Sequence, residues 1–371
     1  MQYRTVASTI SSFLKNGGEV KFAFIQVTTR CNARCTDRCN IWASKPFDMS
    51  LENVKFAIDV LSKNGFSIIY LTGGETGLYP HLIEAVEYAK KKGMITSLTS
   101  NGTIAKETLK KLSKSLDTIS ISVDHYDQEA WDNAKHVEGI SKKAIETIKI
   151  AKAYGIALYA ITFLNPEWNI ENIERIVHFV NDDLGVSFAL SYPYDSTNES
   201  TFDVGANLQE NQSKIQRNLR NMVAKVLEMK LSGADVATVS GYMKDVLRTH
   251  DGLPMIYPCN AGNSVLTIDC NLDVYACYKK GKLFNLRNRQ DLNLPFSDNS
   301  ICDGRNCLIN CFKEASLASK RAVFRAVTEE MCSNPKFYRK IISRKPKRMP
   351  DCDSPKIQTK MYLSRKKQNL D

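Results

Sequence analysis

The sequence predicts an α/β fold, a parallel sheet with helices outside it, followed by a small cysteine-rich C-terminal extension and a basic tail. Three observations carry this reading. Between residues 20 and 195, six short β-like runs alternate with longer amphipathic ones. The 11 cysteines fall into two groups with a long gap between them. Positive charge is concentrated at the C-terminal end.

The strand candidates, in order, are "KFAFIQV", "SIIYL", "MITSLT", "DTISISV", "ALYAITF" and "VSFAL". Between them lie the helix candidates "SLENVKFAIDVLSKNG", "PHLIEAVEYAKKKG", "AKETLKKLSKS", "SKKAIETIKIAKAYG" and "NIENIERIVHFVNDD". Apolar residues in "LIEAVEYAK" recur at the helical period. Ser50 suits an N-cap, Pro80 a first helical position, and Gly93 and Gly155 the C-terminal caps. Six β-then-α units in a row give a parallel sheet, either open or curled into a partial barrel, with its chemistry at the C-terminal ends of the strands. Residues 205–250 read as helical and polar. From Pro258 the pattern breaks into short strands, turns and cysteines, which places a boundary near residue 250. "KEASLASKRAVFRAVTEEMCSNPKFYRKII" reads as helical again.

At 371 residues the chain exceeds the usual size of a single core. Hydrophobic content of 43% and charged content of 25% are those of an ordinary globular protein. No apolar run approaches the length needed to span a bilayer, and the N-terminus lacks the apolar stretch of a signal peptide. A cytoplasmic location is therefore expected. Eleven cysteines are many for a reducing compartment, where thiols serve metals or redox chemistry more often than disulfides. From Lys313 onward there are 16 Lys/Arg against 6 Asp/Glu, which leaves 35 against 34 before it. An anionic partner for the tail is one expectation; a solvated tail is the simpler one.

The first cysteine group, "CNARCTDRCNIW", directly follows the first strand. It supplies Cys31, Cys35 and Cys39, with only Asp37 as another nearby ligand type. A closed zinc site needs four ligands. Three thiolates on a cubic 4Fe–4S cluster leave one iron open, and a substrate or cofactor can bind there. Polar strand ends follow in register. They are "LTGGETG" with Gly73, Gly74 and Glu75, then "SNGT" with Ser100 and Asn101, and "SVDH" with Ser122 and Asp124. Taken singly, each reads as a plain turn. His125 reads equally as a substrate-facing or a structural residue. Tyr192 to Asp195, "YPYD", reads as a pocket wall or a radical-quenching tyrosine.

On these residues the chain resembles the radical S-adenosylmethionine (radical SAM) enzymes. Their signature is Cys-x3-Cys-x2-Cys after the first strand and a "GGEP"-like motif after the second. Here the second cysteine gap is three residues, and Thr76 stands where that family has Pro. The resemblance covers residues 20–195 and implies a (βα)6 partial TIM barrel. It further implies a 4Fe–4S cluster on Cys31, Cys35 and Cys39, with S-adenosylmethionine on the open iron. Gly73, Gly74, Glu75 and Thr76 would contact its methionine moiety, and Ser100, Asn101 and Ser122 would lie near the ribose and carboxylate. Reductive cleavage would yield a 5′-deoxyadenosyl radical that takes hydrogen from a peptide or a small sugar- or alcohol-type metabolite. A reduced ferredoxin or flavodoxin would donate the electron.

"PCNAGNSVLTIDCNLDVYACY" and "CDGRNCLINC" resemble a SPASM or twitch extension, which binds an auxiliary 4Fe–4S cluster. The ligand set expected from that likeness is Cys259, Cys277, Cys307 and Cys311, with Cys270, Cys302 and Cys332 as further candidates. Leu272 stands where the pattern has Gly, and Cys352 is incidental to it. A structural zinc site is the competing reading of these cysteines. The expected division is an N-terminal segment at 1–19, the barrel at 20–200, a helical connector at 201–250, the Fe–S extension at 251–335 and the tail at 336–371. Two other functional classes stay open: a non-enzymatic Fe–S electron carrier or metal-binding protein, and a nucleic-acid-modifying enzyme suggested by the tail. The ligand count argues against a carrier, because a carrier would supply four thiolates to its first cluster.

Overall fold

The computed structural model describes residues 20–35, 39, 41, 44–193, 212–257, 259–277, 280–292 and 308–317. Six strands and their helices follow one another as the alternation predicts. β1 (Lys21–Thr28) leads through the cysteine loop to α1 (Leu51–Lys63) and β2 (Phe66–Gly73). Next come α2 (Leu82–Lys91), β3 (Ile95–Ser100), α3 (Lys106–Leu112) and β4 (Thr118–Ser122). Two helices, α4 (Gln128–Lys135) and α5 (Ile140–Ala153), then precede β5 (Ala157–Phe163). α6 (Ile170–His178) runs into a wider turn at Phe179–Asp183 before β6 (Ser187–Ser191).

The local signals explain most boundaries. The Ser50 side chain caps α1 by accepting from the Asn53 N–H at 3.2 Å. Asn169 and Asn172 cap the start of α6 reciprocally. Gly93 and Gly155 follow α2 and α5 with φ of +79° and +70°. Pro80 does not open its helix: α2 begins at Leu82, with His81 as its N-cap. The polar stretch after residue 205 is two helices, α7 (Gln212–Leu231) and α8 (Ser240–His250), separated at Gly233.

Among the described residues, nine strands form one sheet in the order β6-β5-β4-β3-β2-β1-β7-β8-β9. β1 to β6 pair in parallel, and β7 (Val265–Ile268) continues the sheet parallel to β1. β8 (Asp273–Tyr275) and β9 (Lys282–Asn285) follow as antiparallel strands, and α9 (Asn310–Ser316) ends the described chain. The cysteine-rich extension is thus built onto the sheet rather than beside it. The outer edge of β6 is covered by a returning segment, where the Phe188 N–H donates to Asp235 O at 2.8 Å.

Alternation gives the sheet two unlike faces. Ile25, Leu71, Leu98, Ile121 and Phe188 point outward and are fully buried beneath the helices. The other face carries Tyr70, Thr99, Ser120 and Tyr159. The Tyr70 and Tyr159 hydroxyls, on β2 and β5, lie 3.0 Å apart. Three strand spacings of about 4.8 Å would separate them by roughly 14 Å in a flat sheet. The sheet is therefore curled, with the hydroxyl face inside: a partial barrel. Among the described residues, no helix is long and apolar enough to cross a membrane.

Candidate functional site

The cysteine loop leaves β1 under tight control. Thr28 Oγ1 donates to Asp48 Oδ1 at 2.6 Å, and Arg30 pairs with Asp48 at 2.9 Å. Thr29 Oγ1 donates to Lys45 O at 2.8 Å. Past this clamp, Cys35 is buried and Cys31 and Cys39 are half-buried, and all three pack with Ala33, Val137 and Ile140. The Ala33 N–H points to Cys31 Sγ at 3.4 Å. The Cys39 N–H donates to Cys35 O at 3.1 Å. That bond ties the second and third cysteines directly to each other.

Burial pushes the Cys31 and Cys39 thiols up to about 11; the Ala33 and Ile41 N–H groups respectively oppose the rise, and Lys135 opposes it more weakly. The donor set is soft, as iron–sulfur ligation requires. Among the described residues no three Cys, His, Asp or Glu side chains are grouped to hold one metal ion.

The strand ends are tied to this loop and to one another. A Cβ on Gly73, whose φ is +142°, would lie 2.2 Å from Thr28 O, and one on Gly74 would lie 2.1 Å from Arg30 O. The two glycines therefore let β2 end flush against the exit of β1. The Gly74 and Glu75 N–H groups donate to Thr28 O and Arg30 O at 2.9 and 2.8 Å. Glu75 is fully buried. Its carboxylate accepts from Asn101 N at 2.6 Å, Ser100 Oγ at 2.7 Å and Gly77 N at 2.7 Å. Burial raises its pKa, and those three donors oppose the rise. Thr76 Oγ1 donates to Thr99 O at 2.7 Å. Asn101 Nδ2 donates to Asn32 Oδ1 at 2.7 Å, and Asn32 Nδ2 to Thr103 Oγ1 at 3.0 Å.

The sequence candidates around the loop thus meet, but Glu75, Thr76 and Ser100 spend their side chains inside the protein. Gly73 and Gly74 approach β1 closely. Ser122 ends β4 half-buried. Asp124 Oδ2, just beyond it, pairs with Lys135 Nζ at 2.8 Å, their residues 3% and 7% exposed. Lys135 is a functional candidate that the sequence reading passed over. A lysine on the last turn of a polar helix looks like a solvated charge. Here the Arg34 N–H donates to Lys135 O at 3.0 Å, so the cysteine loop sits directly on that turn.

His125 is locally engaged: its Nδ1 accepts from the Asp127 N–H at 2.9 Å, and its ring meets Trp168 edge-on at 5.6 Å. Tyr192 is buried, with its hydroxyl 2.7 Å from His250 Nε2. In the extension, Cys259, Cys277 and Cys311 converge on one apolar cluster around Phe24, Val265 and Ile309. Cys270 is turned elsewhere: its thiol donates to Gln26 O of β1 at 3.2 Å. Leu272 has φ +67°, the left-handed backbone that a glycine adopts without strain. Cys302, Cys307, Cys332 and Cys352 lie outside the described residues.

With this geometry in hand, comparison with known proteins shows what the chain resembles. The model of the Radical SAM superfamily matches residues 25–180. The members of that family are enzymes that use a 4Fe–4S cluster and S-adenosylmethionine. Over 177 residues the chain is 30% identical to the antilisterial bacteriocin subtilosin biosynthesis protein AlbA of Bacillus subtilis. That match takes in 46% of this chain and only 38% of the relative's length. Among solved structures, Streptococcus suis SuiB bound to precursor peptide SuiA superposes with a TM-score of 0.59 at 16% identity, covering 80% of this chain and 69% of that one. Native anSMEcpe with bound AdoMet gives 0.55 at 15% identity, covering 78% and 83%. These two likenesses establish the partial-barrel fold.

Proposed function

We propose, from the premise that residues 25–180 are a radical SAM domain, that this chain reductively cleaves S-adenosylmethionine and removes a hydrogen atom from a peptide. The single observation that carries the reading is the three-cysteine loop at the end of β1, clamped by Asn32 to the polar end of β3. Cys31, Cys35 and Cys39 hold the cluster in this account, and their number leaves one iron for the cofactor. When bound, the cluster and S-adenosylmethionine supply the one-electron cleavage chemistry, and the chain supplies placement, charge and exclusion of water.

Within that division of labour, Lys135, paired with Asp124, places a buried positive charge near the Cys31 and Cys39 thiols. Glu75 fixes the ends of β2 and β3 to each other, so Ser100 and Asn101 stay beside the loop. Backbone of Gly73 to Thr76 and the side chain of Ser122 would face the cofactor, while the Asn101 amide, bonded to Asn32 and Thr103, holds the loop beside it. A peptide is the favoured substrate because the relatives include a protein of bacteriocin biosynthesis and a neighbour whose structure holds a precursor peptide. The convergence of Cys259, Cys277 and Cys311 supports an auxiliary cluster in the extension, with Cys307 as the remaining ligand.

Cysteine variants test both halves. Cys35→Ala abolishes 5′-deoxyadenosine formation while iron at the extension stays. A double Cys259→Ala, Cys277→Ala variant loses the extension's iron and keeps that of the first site. Unchanged iron in the double variant contradicts the auxiliary site alone.

A further inference from the structure

The inside of the barrel is the part of the molecule that this reading leaves without a role. Parallel register puts paired residues of adjacent strands on one face, which runs from Tyr70 past Thr99 and Ser120 to Tyr159. Their hydroxyls form one connected set. Tyr70 Oη is 2.5 Å from Ser120 Oγ and 3.0 Å from Tyr159 Oη, and Thr99 Oγ1 is 2.6 Å from Ser120 Oγ. Tyr70, Thr99 and Tyr159 are only half-buried, whereas the residues on the opposite face are sealed under helices.

The chemistry of this face is narrow. β1 to β6 carry no Lys, Arg, Asp or Glu on it: the strand-starting Lys21 alternates onto the opposite face with Ala23 and Ile25, where its Nζ donates to Asn64 O at 3.3 Å. Each hydroxyl both donates and accepts, so the set can serve an amide, hydroxyl or ammonium group equally. Charge reaches it from one helix. On α9, Cys311 packs in the cluster that takes in Tyr70, and Glu314, three residues on, shares its side of the helix. The Glu314 carboxylate acts on Tyr159, whose hydroxyl is held well above its ordinary pKa by burial first, then by Tyr70 and by that charge. Among the described residues, a group carrying its own negative charge would meet no strand cation on this face and would have the Glu314 carboxylate beside it.

We propose that Tyr70, Thr99, Ser120 and Tyr159 form the specificity pocket of the barrel, taking a neutral hydrogen-bonding or cationic side chain of the peptide and rejecting acidic or phosphorylated ones. This rests on the peptide reading given above. In that reading, hydrogen passes from the substrate residue held here to become part of 5′-deoxyadenosine. The source of that hydrogen therefore reports the pocket's occupant.

The experiment uses the full chain, reconstituted anaerobically, with S-adenosylmethionine and dithionite. It is offered pools of synthetic peptides in which one residue type at a time is perdeuterated. Deuterium is expected in 5′-deoxyadenosine from the Lys, Arg, Asn, Gln, Ser or Thr pools. Tyr159→Phe and Thr99→Val should each lower that transfer about tenfold, as for one lost buried hydrogen bond, with peptide-independent cleavage unchanged. Glu314→Gln should lower transfer from the Lys and Arg pools only. Deuterium drawn mainly from Asp, Glu or apolar pools overturns the assignment. So does cleavage with no deuterium from any pool, or transfer that the hydroxyl variants leave intact. Absence of 5′-deoxyadenosine altogether overturns the cleavage reading and this proposal with it.

Discussion

Asn101 Nδ2 donates to Asn32 Oδ1 at 2.7 Å, joining the polar end of β3 to the start of the cysteine loop. Asn32 lies between the first two cysteines and returns a bond of its own to Thr103 Oγ1. The loop that would carry the cluster is therefore positioned by a strand more than 60 residues away in sequence.

Replacing Asn32 with Ala should leave the three thiols and the fold in place while loosening their position. Iron content is expected to match wild type, and cleavage of S-adenosylmethionine to fall between about tenfold and a hundredfold, the usual effect of small misplacement. Iron assay and product quantification on one preparation check this. Equal loss of iron and activity would show that Asn32 is needed for assembly instead.

Lys135 and Asp124 form a buried ion pair, and removing one partner strands the other charge. Lys135→Met should lower the unfolding free energy by about 3–5 kcal/mol, while Lys135→Arg retains most of it. Denaturant titration measures the loss. Cleavage by the Arg variant is expected to stay near wild type and that of the Met variant to collapse.

Burial holds His250 neutral beside Tyr192, with Arg220 adding to the effect and Asp251 opposing it, so its pKa lies below the ordinary value. The unfolded chain takes up this proton first as pH falls. Stability is therefore lost from about pH 6.5 downward, by no more than about 1.4 kcal/mol per pH unit. Urea midpoints measured about one pH unit above and about one unit below the ordinary imidazole value should move apart in wild type and draw together in His250→Gln.

Leu272 combines a left-handed backbone with complete burial. Glycine would relieve about 1–2 kcal/mol of backbone strain, but deleting a buried leucine side chain costs about 2–5 kcal/mol. Packing wins. Leu272→Gly should lose about 1–3 kcal/mol net, read by thermal or chemical denaturation.

Much of this architecture is legible in the sequence because its signals are periodic. "TISIS" alternates hydroxyl and isoleucine, and the structure turns Ser120 inward and Ile119 and Ile121 outward. The cysteine loop is legible from its count and its place after β1. α4 is not: in "QEAWDNAK" only Trp131 and Lys135 are buried, so no apolar stripe announces a helix. The duties of Glu75 and Ser100 are equally hidden, because a carboxylate facing a cofactor and one holding two strand ends read alike in one dimension. Cys270 shares its spacing class with its neighbours, and only the β1–β7 pairing shows it turned toward Gln26 O.

The most direct test of the central claim is the product of the chain with S-adenosylmethionine alone. After anaerobic reconstitution with iron and sulfide and reduction by dithionite, 5′-deoxyadenosine and methionine should accumulate in equal amounts. A fully reconstituted chain with an intact cluster that forms neither would contradict the account.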